Sequence, residues 1–256
     1  MMSISVNKIK FRYPTIEVLD DLSFSVEPED CLAILGKNGV GKSTLLRCIN
    51  RILKVQSGEI EIGGVDIRGM GNDELAQKIG YVLQSSQFSD TTVFDAILMG
   101  RKPYIKWDVT RNDLEIVTDV LTSLSLQEYS MRGVNNLSGG ERQKVAIARA
   151  LAQQPNVLMF DEPTSNLDLK NQLEVIRLIK DVVMRKHISA IVTMHDLNLA
   201  LRFGNKFIMM KGGRIHAIGG MEIITPENIK SVYDVDVSIE RFKDRPVVVP
   251  LEDRSE

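Results

Sequence analysis

Cysteine is scarce. The two residues, Cys31 and Cys48, stand far apart and each lies in an apolar run. That favours small buried hydrophobes in a reducing compartment over a disulfide or a metal site. Long hydrophobic runs are missing as well: no window approaches the roughly 18 uncharged apolar residues of a membrane span. The N-terminal stretch MMSISVNKIKFRYP alternates and carries charge where a signal peptide would have an apolar core. Neither sign of charge dominates. A formal net charge of −2 gives no electrostatic case for a nucleic-acid partner or an anionic membrane. There is no internal repeat and no low-complexity linker. The expected setting is the cytoplasm, whatever the chain docks onto.

What is present is ordinary globular material. A chain of 256 residues, 43% hydrophobic and 26% charged, can bury a sizeable core as one large domain or a domain with a subdomain. Leu22, Phe24 and Val26 alternate with polar residues as in a half-buried strand, and GEIEIGGVDI reads as a hairpin around Gly63-Gly64. Between them, CLAILG is a short continuous apolar run, which suits a strand covered on both faces in a parallel sheet. From about 90 to 153 the patterns are helical, and DLEIVTDVLTSL places Leu114, Val117, Leu121 and Leu124 on one face. Apolar runs return at 156–161 and 188–195, separated by the amphipathic LKNQLEVIRLIKDVVMRK. FIMMKGGRIHAIG reads as a hairpin turning at Gly212-Gly213, and the tail after Pro226 is mixed. The order is that of a βα core with a helical insertion.

GKNGVGKST, residues 36–44, fits G-x-x-x-x-G-K-[ST] and lies between a buried strand pattern and a helical one, the context the motif requires. Backbone N–H groups of such a loop wrap phosphate oxygens, and the helix N-terminus adds partial positive charge. Lys42 is placed to reach the β- and γ-phosphates and Ser43 to ligate Mg²⁺. Asp161 and Glu162 end the run NVLMFDE at a sheet edge where ligands sit. Two carboxylates there are costly without a cation or donors. Asp161 would hold Mg²⁺, directly or through water, and Glu162 would polarise an attacking water. His195 ends the next apolar run, where a phosphate contact and a purely structural role are equally open, and the Gln84 amide could reach Mg²⁺ or the water. In LSGGE, Ser138 and Glu141 form a capping box, a sound helix start. Yet Gly139 and Gly140 each weaken a helix by about 1 kcal/mol relative to alanine. A glycine-lined helix entrance is also an anion site.

Taken together, from Tyr13 to His195, the chain resembles an ATP-binding-cassette (ABC) ATPase subunit. GKNGVGKST resembles the Walker A loop, Gln84 the Q-loop, LSGGERQ the family signature, LMFDEP Walker B, SNLD (165–168) the D-loop and His195 the switch histidine. The resemblance implies a P-loop NTPase (RecA-like) α/β core with an N-terminal antiparallel β subdomain and an inserted α-helical subdomain. The expected division is a core of 1–87 and 156–226, a helical signature-bearing insertion of 88–155, and a C-terminal segment of 227–256. It implies ATP contacts from Gly36, Asn38, Gly39, Gly41, Lys42, Ser43 and Thr44, with Tyr13 stacking on adenine; a strand-edge tyrosine is the alternative. Mg²⁺ would be held by Ser43, Gln84 and Asp161, and the catalytic set would be Glu162, His195, Gln84 and Lys42.

In the family two cassettes pair head to tail. Ser138, Gly139 and Gly140 would then meet the γ-phosphate held by the partner copy, and Asp168 would communicate between sites. A single cassette without membrane helices resembles the detached ATPase of an importer. LMGRKPYIKW (98–107), DEPTSNLDLKNQLEVI and RPVVVP resemble the class serving iron-siderophore, haem and cobalamin uptake. The implied partners are a second copy, a membrane permease dimer and, indirectly, an extracytoplasmic substrate-binding protein, with the cassette peripheral on the inner membrane face. Importers of metal ions or other small solutes remain an alternative, as does an ATP-driven clamp outside transport. The segment from Ser85 to Pro103 is expected to form the permease-docking groove, with Phe88, Val93 and Phe94 either as contacts or as subdomain core.

Overall fold

The computed structural model describes residues 4–84, 88–243 and 245–251. The expected boundary at 87/88 and the start of the expected docking segment, 85–87, fall outside the described residues.

The short all-apolar runs form the centre of a six-stranded sheet. Strands β3 (Cys31–Leu35), β7 (Val157–Asp161) and β8 (Ser189–Thr193) are buried at every position. Each buries both faces. In β3, Cys31, Ala33 and Leu35 join a core on the helical side, while Leu32 and Ile34 join one shared with the N-terminal strands. The sheet order is β10-β9-β3-β8-β7-β6, with β6 at Ile79–Val82, β9 at Lys206–Lys211 and β10 at Arg214–Gly219. All neighbours pair in parallel except β9 and β10, the hairpin expected at Gly212-Gly213. The second sheet is antiparallel, β2-β1-β4-β5, from β1 (Ile4–Arg12), β2 (Glu17–Val26), β4 (Ser57–Ile62) and β5 (Val65–Asp66). Its buried Leu22, Phe24 and Val26 bear out the alternation read in β2. Helix α1 (Lys42–Ile49) buries Leu45, Leu46 and Ile49 in the core between the two sheets. α2 (Asn72–Lys78) leads into β6.

Between β6 and β7 come α3 (Val93–Leu98), α4 (Arg111–Ser123) and α5 (Gly139–Ala152). The stripe expected on α4 needs correction. Val117, Leu121 and Leu124 are buried, but Leu114 is 41% exposed. Asp113 takes the inward place one residue earlier. Its carboxylate accepts from Arg101 Nε at 2.9 Å, and both groups are almost completely buried. Thr110 N–H and Oγ1 donate to the same carboxylate, closing a capping box that starts α4. Val93 is fully buried and Phe88 and Phe94 are partly buried against the same core, so Val93 belongs to the subdomain interior.

Helix α6 spans Leu169–Lys186, the full amphipathic stretch read from sequence, and α7 spans Leu197–Phe203. The mixed tail resolves into α8 (Pro226–Tyr233) and a hairpin of β11 (Val237–Phe242) with β12 (Arg245–Pro250). Cys31 and Cys48 are buried free thiols, pushed up by burial to about 11 and about 12. No helix among the described residues is long and apolar enough to cross a membrane.

Candidate functional site

The loop 36–44 leaves the C-terminal end of β3 and runs straight into α1. Lys37, Asn38 and Gly39 are exposed, whereas Gly36, Gly41, Lys42 and Thr44 are buried. Gly41, the residue before α1, has φ 108°. A side chain there would be strained, and its Cβ would stand 3.0 Å from Val18 O and 2.9 Å from Leu19 Cδ2. The loop is thus pressed against β2, the strand that follows the turn carrying Tyr13. Helices α3 to α8 all have a side-chain N-cap, whereas α1 has none and no acid in its first turn. The dipole end of α1 and its first N–H groups are left for an external anion.

Lys42 is only 5% exposed and donates to the loop carbonyls of Gly36 at 2.7 Å and Lys37 at 3.2 Å. Burial lowers its pKa from the ordinary lysine value, and nearby Glu162 and Asp161 partly offset that. Ser43 Oγ donates to Asp161 Oδ1 at 2.8 Å, so the hydroxyl of α1 and the carboxylate ending β7 meet across the sheet edge.

Thr193 ties this cluster together, and sequence reasoning missed it. Its hydroxyl, at the end of β8, donates to Asp161 Oδ1 at 2.8 Å and accepts from the Glu162 backbone N–H at 3.0 Å. Glu162 itself has φ 48°, a conformation that non-glycine residues adopt only at a cost. The Ser165 N–H and hydroxyl both donate to the Glu162 carbonyl, at 3.1 and 2.9 Å, holding the turn from the other side. The side chain is aimed as a result. Glu162 Oε2 accepts from Gln84 Nε2 at 3.0 Å and lies 3.6 Å from His195 Nδ1. Lys42, Ser43, Asp161, Glu162, Gln84 and His195 are therefore one cluster at the C-terminal edge of the parallel strands, where open α/β sheets bind ligands.

Ser43 and Asp161 supply the hard oxygen donors that suit Mg²⁺, which usually keeps waters and takes only one or two protein ligands beside phosphate. Among the described residues no cluster of three or more His, Cys, Asp or Glu side chains could hold a metal alone.

The remaining predicted residues lie apart. Tyr13 is 38% exposed in the turn between β1 and β2, its ring edge-on to Phe11 at 5.0 Å. Ser138 caps α5 as expected: its backbone N–H and hydroxyl both donate to Glu141 Oε2, at 2.8 and 2.7 Å, and hold that carboxyl below its ordinary pKa. Gly140 has a packing reason to be bare, because a Cβ there would be 2.5 Å from Asn171 Oδ1. Gly139 has none. Asn171 in turn donates its N–H and Nδ2 to the Asp168 carboxylate at 2.8 and 3.0 Å. The segment SNLD is thereby braced against the start of α5. No hydrogen bond or ion pair joins Ser138, Gly139, Gly140 or Asp168 to the loop 36–44 among the described residues. An unforeseen contact comes from the tail: Asp234 pairs with Lys37 of the loop, which lowers its carboxyl pKa.

A family model described as ABC transporter matches residues 19–165. An uncharacterised ABC transporter ATP-binding protein of Methanocaldococcus jannaschii is 54% identical, over 98% of this chain and 99% of its own length. A petrobactin import ATP-binding protein of Bacillus anthracis is 33% identical, over 96% of this chain and 92% of its own. Among solved structures, an inward-facing ABC transporter assigned to the metal-chelate type superposes with a TM-score of 0.86 at 30% identity, covering 99% of each chain. The chain therefore belongs to the ABC transporter family, as an ATP-binding cassette.

Proposed function

We propose that this chain is the ATP-hydrolysing subunit of a membrane importer and energises uptake of a metal chelate, such as an iron-siderophore complex, haem or cobalamin. The observation that carries the hydrolytic reading is the convergence of Lys42, Ser43, Asp161, Glu162, Gln84 and His195 on one sheet edge. The chelate class is supported by the petrobactin-import relative and the metal-chelate-type structural neighbour.

In this reading the loop N–H groups and Lys42 bind the β- and γ-phosphates of ATP, with Tyr13 against the adenine. The Lys42 ammonium exchanges its two loop carbonyls for phosphate oxygens. Ser43 and Asp161 would hold Mg²⁺, with Gln84 in reach, and the ion would screen phosphate charge. Glu162 Oε1 makes no protein hydrogen bond among the described residues and accepts the proton of an attacking water, while Oε2 stays anchored to Gln84. Water oxygen bonds to the γ-phosphorus, and the bond to the ADP oxygen breaks. His195 contacts the γ-phosphate from the side of Glu162.

Two copies pair head to tail, so that Ser138, Gly139 and Gly140 of one complete the site of the other and Asp168 lies between the two sites. ATP drives this closure only to the extent that it binds the closed dimer more tightly than the open one. The helical insertion docks a permease dimer on the inner membrane face, near the exposed side chains of Met99 and Trp107. The test is copurification with the membrane partner, followed by ATP turnover in the presence of substrate-binding proteins loaded with different chelates. Stimulation by a chelate-loaded carrier supports the reading. Stimulation only by a carrier of another solute class removes the chelate assignment.

A further inference from the structure

A cavity of about 890 Å³ opens between α6, α7 and the β11–β12 hairpin, and none of its lining residues belongs to the hydrolytic site. Its size lies within the usual range for small-molecule pockets. Four cationic side chains line it: Lys180 from α6, Arg202 from α7, and Lys243 and Arg245 from the hairpin. Among the described residues no carboxylate lines it and none of the four is ion-paired; Asp244, between Lys243 and Arg245 in sequence, lies outside the described residues. The whole chain is nearly balanced, with 34 acidic residues against 32 lysines and arginines. Surfaces with such a balance ordinarily intersperse the two signs. Four cationic side chains lining one concavity favour an anion there.

The groove also has an apolar side. Phe242 is 68% exposed, with Lys243 Nζ 5.6 Å from its ring centroid, and Leu201 of α7 also lines the groove. The walls are fixed to one another. Asn198 of α7 donates to Val248 O at 3.1 Å and accepts from Val248 N–H at 2.9 Å, pinning the hairpin. Lys180 Nζ donates to Arg202 O at 2.9 Å, joining α6 to α7 and leaving the guanidinium of Arg202 unengaged. Guanidinium and ammonium groups beside an exposed ring suit a phosphate-bearing molecule with a planar body.

We propose that this groove binds a soluble nucleotide-class ligand, its phosphates on Arg202, Arg245, Lys180 and Lys243 and its ring on Phe242, at a site distinct from the one at Lys42. Because α7 begins two residues after His195, an occupied groove fastens the C-terminal hairpin to the element that follows that histidine.

The test is isothermal titration of the full chain with ADP. Unaltered protein should bind two equivalents. Lys42→Ala should lose one and keep the other. Lys243→Glu with Arg245→Glu, two exposed hairpin positions, should weaken the remaining equivalent at least tenfold without lowering the melting temperature. Arg202→Ala on α7 should weaken it too. A single equivalent that disappears with Lys42→Ala overturns the proposal, as does a second equivalent that survives both the hairpin reversal and Arg202→Ala. Flotation with phosphatidylglycerol vesicles separates the sources of phosphate. Vesicle binding that the charge reversal abolishes, without a second ADP equivalent, overturns the soluble ligand in favour of a lipid headgroup.

Discussion

Thr193→Val tests the least expected part of the site. The side chain is fully buried, and valine keeps its shape, so no cavity opens. What disappears is one hydroxyl with two duties: a donor to the Asp161 carboxylate and an acceptor for the Glu162 N–H. A hydrogen bond to a charged group is worth about 1.5–3 kcal/mol, and an orphaned buried donor costs about 1–3 kcal/mol. Both depend on the same atom and do not simply add, so the expected loss is about 2–4 kcal/mol. In a chain of this size 1 kcal/mol moves the melting temperature by about 2–4 °C, giving a fall on the order of 10 °C. Urea unfolding should show a lower midpoint with an unchanged slope. Phosphate release should slow by about 10–100-fold, because Asp161 keeps only Ser43 as a hydroxyl donor and the strained Glu162 turn loses its N–H anchor. Thr193→Ser should recover most of both losses. If Thr193→Val unfolds and turns over like the unaltered protein, the idea that this hydroxyl positions both carboxylates is wrong.

Asp113→Asn should leave the Arg101 guanidinium buried without a counter-charge and destabilise the protein by about 3–5 kcal/mol in denaturant titration. The Asp113 carboxyl is held below its ordinary 3.8, first by the Thr110 hydroxyl and also by Arg101. Its contribution is therefore present above about pH 4 and lost as pH falls through the lowered value, so the variant should show a shallower acid loss of stability. Gly140→Ala should cost about 1–3 kcal/mol, because the new Cβ must displace Asn171. Asn171→Ala should relieve that cost in the double variant, and purely additive effects in the cycle would remove the contact from the account.

The phosphate loop, the Asp161–Glu162 edge and the capped helix at Ser138 were legible because chemistry fixes both residue type and local spacing there. So were the strands, since a run such as Cys31–Leu35 can bury every residue only inside a covered sheet. Thr193 was not legible: a threonine ending an apolar run is common, and only the third dimension brings it to Asp161, 32 residues away. Asn171 was hidden for the same reason, lying 31 residues from the glycine it constrains. On α4 the apolar stripe was misread at its start, because a paired acid, Asp113, can occupy an inward position that hydrophobicity alone assigns to leucine. The C-terminal hairpin escaped because Pro246 and Pro250 argue against a strand. β12 accommodates both because it pairs with β11 alone and its other edge carries no strand among the described residues.

Glu162 is proposed to activate water on ATP held at Lys42. The most direct measurement is phosphate release by Glu162→Gln alongside its ATP affinity. Turnover should fall by about 10²–10⁴-fold with ATP binding retained, and an ATP-bound dimer should persist in solution. Near-normal turnover with intact ATP binding would contradict it and take the general-base role away from Glu162.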